Sequence, residues 1–202
     1  VLVRRLGLHG VGAHTAQVMA FIAAFGGFGK VFHVIEAVIR PGDEAQHLAF
    51  LSQLDPEDVR MRVFYSRRSI EPSELARLTQ IDYEREIAFV AVRPGPDGIE
   101  ETLATARAMT DPDNINAEFG IIVRSDLKGI GLGKLMMDKL IRTLRTQGTQ
   151  RLVATVLHEN RRMLALQRDL GFSEIASDTA DGTRSIALDL QNTAGAAPLP
   201  AR

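Results

Sequence analysis

Along the second half of the chain the apolar residues fall into two distinct rhythms. Leu132, Leu135, Met136, Leu140, Ile141 and Leu144 recur at helical spacing, and Gly148 stands where a left-handed glycine closes such a run. The spacing predicts an amphipathic helix whose Leu/Met stripe belongs to the core. Arg151–Leu157 (RLVATVL) then reads as a strand. Asn160 caps a second helix through Met163, Leu164 and Leu170, which ends at Gly171. Phe172–Ala176 and Arg184–Leu190 are two further strands, joined through Asp181-Gly182.

The first half shows the same alternation with more turns. HVIEAVIR at 33–40 reads as a strand running into Pro41-Gly42, and Asp43 to Gln53 places Ala45, Leu48, Ala49 and Leu51 near one helical face. Asp55 is a natural N-cap and Pro56 a natural first helical residue. Glu71-Pro72-Ser73-Glu74 opens another short helix through Leu75 and Leu78. Glu86–Val92 (EIAFVAV) is a mostly apolar strand stopped by Arg93-Pro94-Gly95-Pro96, and Thr102–Met109 is its hairpin partner, although its alanines imitate a helix. Asp111-Pro112-Asp113-Asn114 turns the chain into the strand Ala117–Val123. Strand, helix, strand and helix in the centre with hairpins around them predict a mixed α/β sheet. Residues 1–30 form an extension set apart from this pattern. Their stretch VMAFIAAFGGFG (18–29) faintly imitates a signal peptide but is short, glycine-rich and preceded by His9, His14 and Gln17. The expected division is therefore 1–30 as extension, 31–190 as the folded domain, and 191–202 as an Ala/Pro-rich, disordered tail.

Composition narrows the function classes. The 202 residues are 45% hydrophobic and 24% charged, enough to bury a core, and the net charge of −1 argues against a polyanion binder that works by bulk electrostatics. The run Arg60, Arg62, Arg67 and Arg68, with Phe64 and Tyr65 interleaved, is a weak nucleic-acid footprint and reads better as a substrate-side helix and its loop. The chain has no cysteine, which removes thiolate catalysis and Cys-based zinc sites and fits a reducing compartment. No stretch reaches the roughly 18 apolar residues of a membrane span. His158-Glu159 does not extend to His-Glu-x-x-His, so no metal is implied. The expectations are a cytoplasmic protein with no nucleic-acid, membrane or metal partner.

The chemistry concentrates at Glu118–Gly133, EFGIIVRSDLKGIGLG. A strand enters a loop with glycine at 129, 131 and 133, and a helix follows at once. Small residues let the backbone approach a ligand, and the free N–H groups and dipole of the helix start favour an anion such as phosphate or pyrophosphate. A P-loop is excluded because Gly133-Lys134 is followed by Leu135 and Lys128 stands where its first glycine belongs. A dinucleotide fingerprint is excluded because position 134 is Lys rather than Gly.

Lys128-Gly129-Ile130-Gly131-Leu132-Gly133 instead resembles the coenzyme A loop of the GNAT acyltransferases, commonly Gln/Arg-x-x-Gly-x-Gly/Ala. Asn160 followed by Leu170-Gly171-Phe172 resembles a second motif of the same superfamily at the expected distance. VRMRVFYSRR (59–68), LARLTQIDYEREIAFVAV (75–92), DPDNINAEFGIIVRSDLKGIGLG (111–133) and ENRRMLALQRDLGF (159–172) are similar to its bacterial protein-lysine acetyltransferase branch, whose domain is often fused to an ADP-forming acyl-CoA synthetase-like region. The likeness spans about Val34 to Leu190. No synthetase-like region is present here, so the chain is read as a stand-alone member or part of a larger protein.

The resemblance implies the GNAT fold, an α/β (α+β) arrangement. Its mixed, mostly antiparallel sheet is flanked by helices, and a central parallel pair (117–123 and 151–157) splays to admit acetyl-CoA. It implies pyrophosphate on the N–H groups of Lys128, Gly129, Ile130, Gly131, Leu132, Gly133 and Lys134. The pantetheine arm would run along Ile121, Ile122 and Val123, and Asn160 would add a coenzyme contact beyond its capping role. Glu118 falls where the resemblance places the general base, although a charged residue at a strand end is ordinarily just solvated. Glu86, on a neighbouring strand, is the reserve and reads better as structural. Where many relatives carry a Tyr that protonates the departing thiolate, this chain has Gln167, which cannot donate a proton in that way; a lone loop histidine, His158, is the other candidate acid. Arg124, Arg161 and Arg162 flank the two loops, as phosphate ligands or as solvated surface residues. The implied function is transfer of acetyl from acetyl-CoA to a lysine amine of a protein. A small-molecule amine acetyltransferase and an acyl-CoA sensor without turnover are the alternatives.

Overall fold

The computed structural model describes residues 21–24, 31–36, 44–63, 85–95, 99–178 and 180–191. The elements in chain order are β1 (Phe21–Ala24), β2 (Val31–Glu36), α1 (Glu44–Ser52), α2 (Pro56–Val63), β3 (Glu86–Pro94), β4 (Glu100–Thr110) and β5 (Asn116–Val123). A 3₁₀ turn (Ser125–Leu127), α3 (Leu132–Thr146), β6 (Arg151–Leu157), α4 (Arg161–Asp169), β7 (Ser173–Asp178) and β8 (Thr183–Asp189) follow. The expected helix at 71–78, Phe64, Tyr65, Arg67, Arg68 and the tail beyond 191 lie outside the described residues.

Among the described residues the strands form one eight-stranded sheet in the order β1-β2-β3-β4-β5-β6-β8-β7. All neighbours are antiparallel except β5 and β6, which run parallel because α3 carries the chain back between them. Part of the segment set apart in the sequence joins this sheet, with Phe21–Ala24 pairing antiparallel to β2. The strand expected at 33–40 is described as Val31–Glu36.

β3 is buried from Glu86 to Val92, as a strand covered on both faces must be, and this is why it reads as a continuous apolar run. β4 looks helical in sequence because of its alanines, yet it is a strand. Its small side chains at Ala104, Ala106 and Ala108 are buried against α3, whose bulky stripe fills the space they leave. Leu132, Met136, Met137, Leu140 and Leu144 on that stripe are almost completely buried, so helical period and burial agree. Gly148 (φ 79°) ends the helix in the left-handed region, with its N–H donating to the Arg145 carbonyl.

The turn entering β5 is held by side chains. The Asp111 carboxylate accepts from the N–H groups of Ile115 (2.7 Å) and Asn116 (3.0 Å). Asn114, at φ 53°, donates to the Gln147 carbonyl and accepts from Thr149, fastening the turn to the end of α3. β5 and α3, the two elements that frame the glycine loop, are thus tied at both ends.

Replacing Leu140 with Ala removes a fully buried side chain from the α3 stripe and is expected to lower the unfolding free energy by about 2–5 kcal/mol. Urea denaturation of both proteins checks this.

Candidate active site

The parallel ladder between β5 and β6 pairs Asn116 with Arg151, Ala117 with Leu152 and Glu118 with Val153, and goes no further. Beyond Glu118 the two strands part, while β5 stays paired with β4 through Val123. Backbone groups alternate sides along a strand. The Arg124 N–H donates to Leu103 on β4 and the Ile115 carbonyl accepts from Arg151 on the β6 side. The same alternation turns the amides of Ile121 and Val123 away from β4, towards the gap.

The gap is a cleft of about 480 Å³. Ile121, Ile122, Val123 and Leu127 form one wall, Asn160, Met163 and Leu166 the other, and Lys128, Gly129, Gly131, Gly133 and Lys134 the end. Gly129 (φ 81°) and Gly131 (φ 86°) hold conformations that an L side chain resists, and Gly131 starts α3 with no side-chain cap on its first N–H groups. A Cβ on Gly133 would sit in ordinary contact with Val123, Leu166 and Ile121 at 3.7–3.9 Å, so a side chain there would project between the two walls. Parted strands with a bare amide edge, apolar walls and an uncapped glycine loop at one end suit a long ligand with an extended arm and an anionic terminus.

The residues singled out in the sequence separate here. Ile121, Ile122, Val123, Lys128, Gly129, Gly131, Gly133, Lys134 and Asn160 all line the cleft. Leu132 is buried in the core and Ile130 packs against it, leaving these two only backbone to offer a ligand. Asn160 is the N-cap of α4, accepting from the Met163 N–H at 3.0 Å. Lys128 is ion-paired with Asp58 and Lys134 with Asp138 (3.1 Å). Glu118 is exposed, on the last paired step before the strands part. Glu86 is buried and ion-paired with Arg107, a structural role. His158 Nε2 lies 2.8 Å from the Thr183 carbonyl, in the turn after β6.

One expectation is corrected. Arg124 is neither a phosphate ligand nor a surface residue. It is buried, grips Asp126 through two hydrogen bonds (2.6 and 3.0 Å), and also reaches Gln53 and Glu101. Gln167, which the sequence reading sets aside as a proton donor, is buried, and the α4 residues that line the cleft are Arg162, Met163, Ala165, Leu166 and Asp169. Of the flanking arginines only Arg162 lines the cleft, while Arg161 is exposed.

The sequence reading missed how α2 closes the site. Asp58, Met61 and Arg62 of this helix line the cleft. Its start is pinned to the β5 wall: Ser125 Oγ accepts from the Asp55 N–H (2.9 Å) and donates to Asp58 (2.5 Å), and Asp58 also holds Lys128. Arg60 crosses to the other wall, binding Glu159 (2.6 Å) next to Asn160 while holding Glu57 (2.7 Å) on its own helix. The hydrogen bond from Arg60 keeps the Glu57 carboxyl below its usual range, and Glu57 and Glu159 together raise the guanidinium. One turn on from Asp58, on the face that lines the cleft, the Arg62 guanidinium lies flat on β5: a Cβ on Gly120 would overlap it. An isolated glycine inside an apolar strand is the sequence signal for such a close approach.

The fold and this cleft define an acyltransferase of the coenzyme A-binding type, and the comparisons agree. The acetyltransferase (GNAT) family matches residues 55–172, and the chain belongs to that family. An acetyltransferase of Pseudomonas aeruginosa is 27% identical over 140 residues, 69% of this chain and 75% of its own length. Among solved structures, the GNAT domain of S. lividans PAT superposes with a TM-score of 0.69 at 23% identity, covering 80% of this chain and 92% of that one. A GNAT-superfamily phosphinothricin acetyltransferase from Sinorhizobium meliloti, solved with AcCoA, gives 0.63 at 19% identity, covering 81% and 91%.

The hydrogen bond from Arg124 holds the Asp126 carboxyl below its ordinary value, against the smaller effect of burial. A lowered carboxyl pKa adds stability that is complete above the unfolded value, about 4, and is lost as the pH falls through the folded value. Asp126→Asn is therefore expected to lower stability at pH 7 by about 1 kcal/mol or less, given the exposure of the carboxylate, and the difference is expected to vanish once the pH falls below the lowered, folded-state value of the carboxyl. Thermal melts across that range check the sign.

Proposed function

We propose that this enzyme transfers the acetyl group of acetyl-CoA to the side-chain amine of a lysine in another protein. The amine attacks directly in a ternary complex, with Glu118 as its base. One observation supports the assignment of the base: Glu118 is exposed and occupies the last step of the parallel ladder, just before the strands part, although it is not itself among the residues lining the cleft.

The chemistry follows from what surrounds that point. A lysine amine has a pKa of about 10.4 and must lose a proton before it can attack a thioester near neutrality, which an adjacent carboxylate can accept directly or through a water. The amide edge at Ile121 and Val123 suits an extended pantetheine arm, and strand N–H groups there would polarise the thioester carbonyl. Backbone at 128–134 and the uncapped start of α3 would hold the pyrophosphate, and Lys134 and Arg162 add positive charge at that end. With no cysteine in the chain, no thiol is available to carry the acetyl group as an intermediate, which favours direct attack. Gln167 is buried, and its amide cannot donate a proton to the departing thiolate in the way a Tyr hydroxyl would.

The protein acceptor is supported by the resemblance of segments 59–68, 75–92, 111–133 and 159–172 to the protein-lysine branch. A cytoplasmic site of action belongs to the same proposal.

Glu118→Gln keeps the shape of the side chain and removes the base. Coenzyme A release, followed with a protein extract and with free amines as acceptors, is expected to fall about 100-fold or more, while acetyl-CoA affinity stays within about twofold. Undiminished turnover would remove Glu118 from the mechanism. Turnover confined to free amines would replace the protein acceptor by a small molecule. Binding without turnover on any acceptor would identify a sensor.

A further inference from the structure

The cations around the cleft are not equivalent. Lys128 and Lys134 hold aspartates, and Arg162 is exposed. Arg62 is sheltered, lines the cleft, and makes no hydrogen bond or ion pair among the described residues. Its nearest fellow cation on the sheet, Arg107, is already taken by Glu86. Burial, and next the repulsion of Arg107, disfavour the charge on Arg62, while Glu118 favours it. Arginine stays protonated regardless, so a desolvated guanidinium with open donors is left facing the cleft.

Its position along the cleft decides which anion it meets. Arg62 lies over Gly120, on the same strand and the same face as Glu118, two residues away. The glycine loop lies beyond Val123, at the far end of the unpaired stretch. Arg62 therefore stands at the amine end rather than at the phosphate end. The contacts of Asp58 with Ser125 and of Arg60 with Glu159 hold α2, and with it the Arg62 backbone, across the opening before any acceptor arrives.

We propose that Arg62 is the anion subsite for the acceptor: its guanidinium binds a carboxylate that the acceptor carries close to the amine being acetylated. The inference rests on the acetyl-transfer reading and deepens it by naming the acceptor class. A planar guanidinium with parallel N–H donors is matched to a carboxylate, and engaging it would place the neighbouring amine beside Glu118. The carboxylate can come from an Asp or Glu flanking the target lysine, or from the α-carboxylate of a free amino acid. Gly120 is part of the device, since any side chain there would displace the guanidinium.

The test uses the full chain with acetyl-CoA and matched peptides carrying one lysine flanked by Glu, Gln or Lys, alongside free lysine and its amide. The expected result is a kcat/KM order of Glu- over Gln- over Lys-flanked peptide. In Arg62→Met the Glu-over-Gln ratio falls about tenfold, the effect of losing one charge-assisted hydrogen bond, and Arg62→Lys restores part of it. Arg62→Glu reverses the order in favour of the Lys-flanked peptide. Acetyl-CoA affinity measured on each variant controls for folding. Free lysine favoured over its amide, with peptides untouched, supports the subsite with a small-molecule acceptor. Equal use of all three peptides by the parent overturns the subsite while leaving acetyl transfer intact. So does an Arg62→Met loss that appears in acetyl-CoA affinity, or equally on every acceptor. No turnover of any acceptor overturns the acetyl-transfer reading itself.

Discussion

A parallel strand pair that stays together for three residues and then separates is the constraint on which the rest of this molecule depends. Glu118 and Val153 are the last partners, and past them β5 remains bonded to β4 while its other edge is bare. Buried backbone polar groups are rarely left without partners, so an open edge inside a sheet calls for something to pair with it. A ligand with an extended, amide-bearing arm answers that demand. The neighbouring features serve the same opening: glycines that thin the loop, an uncapped helix at its end, and apolar walls from Val123, Met163 and Leu166.

Holding such a gap open costs sheet contacts, and the structure offsets part of that loss from outside the sheet. α3 packs its buried stripe across β3, β4 and β5, so the β5 wall does not depend on β6. α2 bridges the two walls through Asp58–Lys128 and Arg60–Glu159. Arg124, with Asp126, Glu101 and Gln53, anchors the chain where it leaves β5 for the loop. These polar contacts sit at the ends of strands, where packing alone is weakest. They hold α2, which carries Arg62, beside the end of the ladder, and among the described residues neither Arg62 nor Glu118 is in a salt bridge.

Much of this was legible in advance wherever a local physical rule applies. Helical period identified the α3 stripe, cap chemistry placed Asn160 and Gly148, and glycine spacing marked the anion loop, because each depends on neighbours in sequence. What went astray depended on neighbours in space. Arg124 read as a phosphate ligand or a solvated surface residue because it flanks the loop, but the fold turns it into a buried cluster with Glu101, 23 residues away. Ile130 and Leu132 belong to the loop by sequence and to the core by packing.

From β2 onward, among the described residues, the sequence by itself determined the order of strands and helices, the glycine loop and, through its resemblance, the acetyltransferase family, because periodicity, caps and short motifs are written in adjacent residues. It did not show that Phe21–Ala24 joins the sheet. Only the tertiary structure decided that the parallel ladder stops at Glu118, that α2 is clamped over the cleft, and that Arg62 rests on Gly120. Those are contacts between segments far apart in the chain. Their energies come from packing and ion pairing, whose partners are chosen by the sheet register rather than by any local pattern.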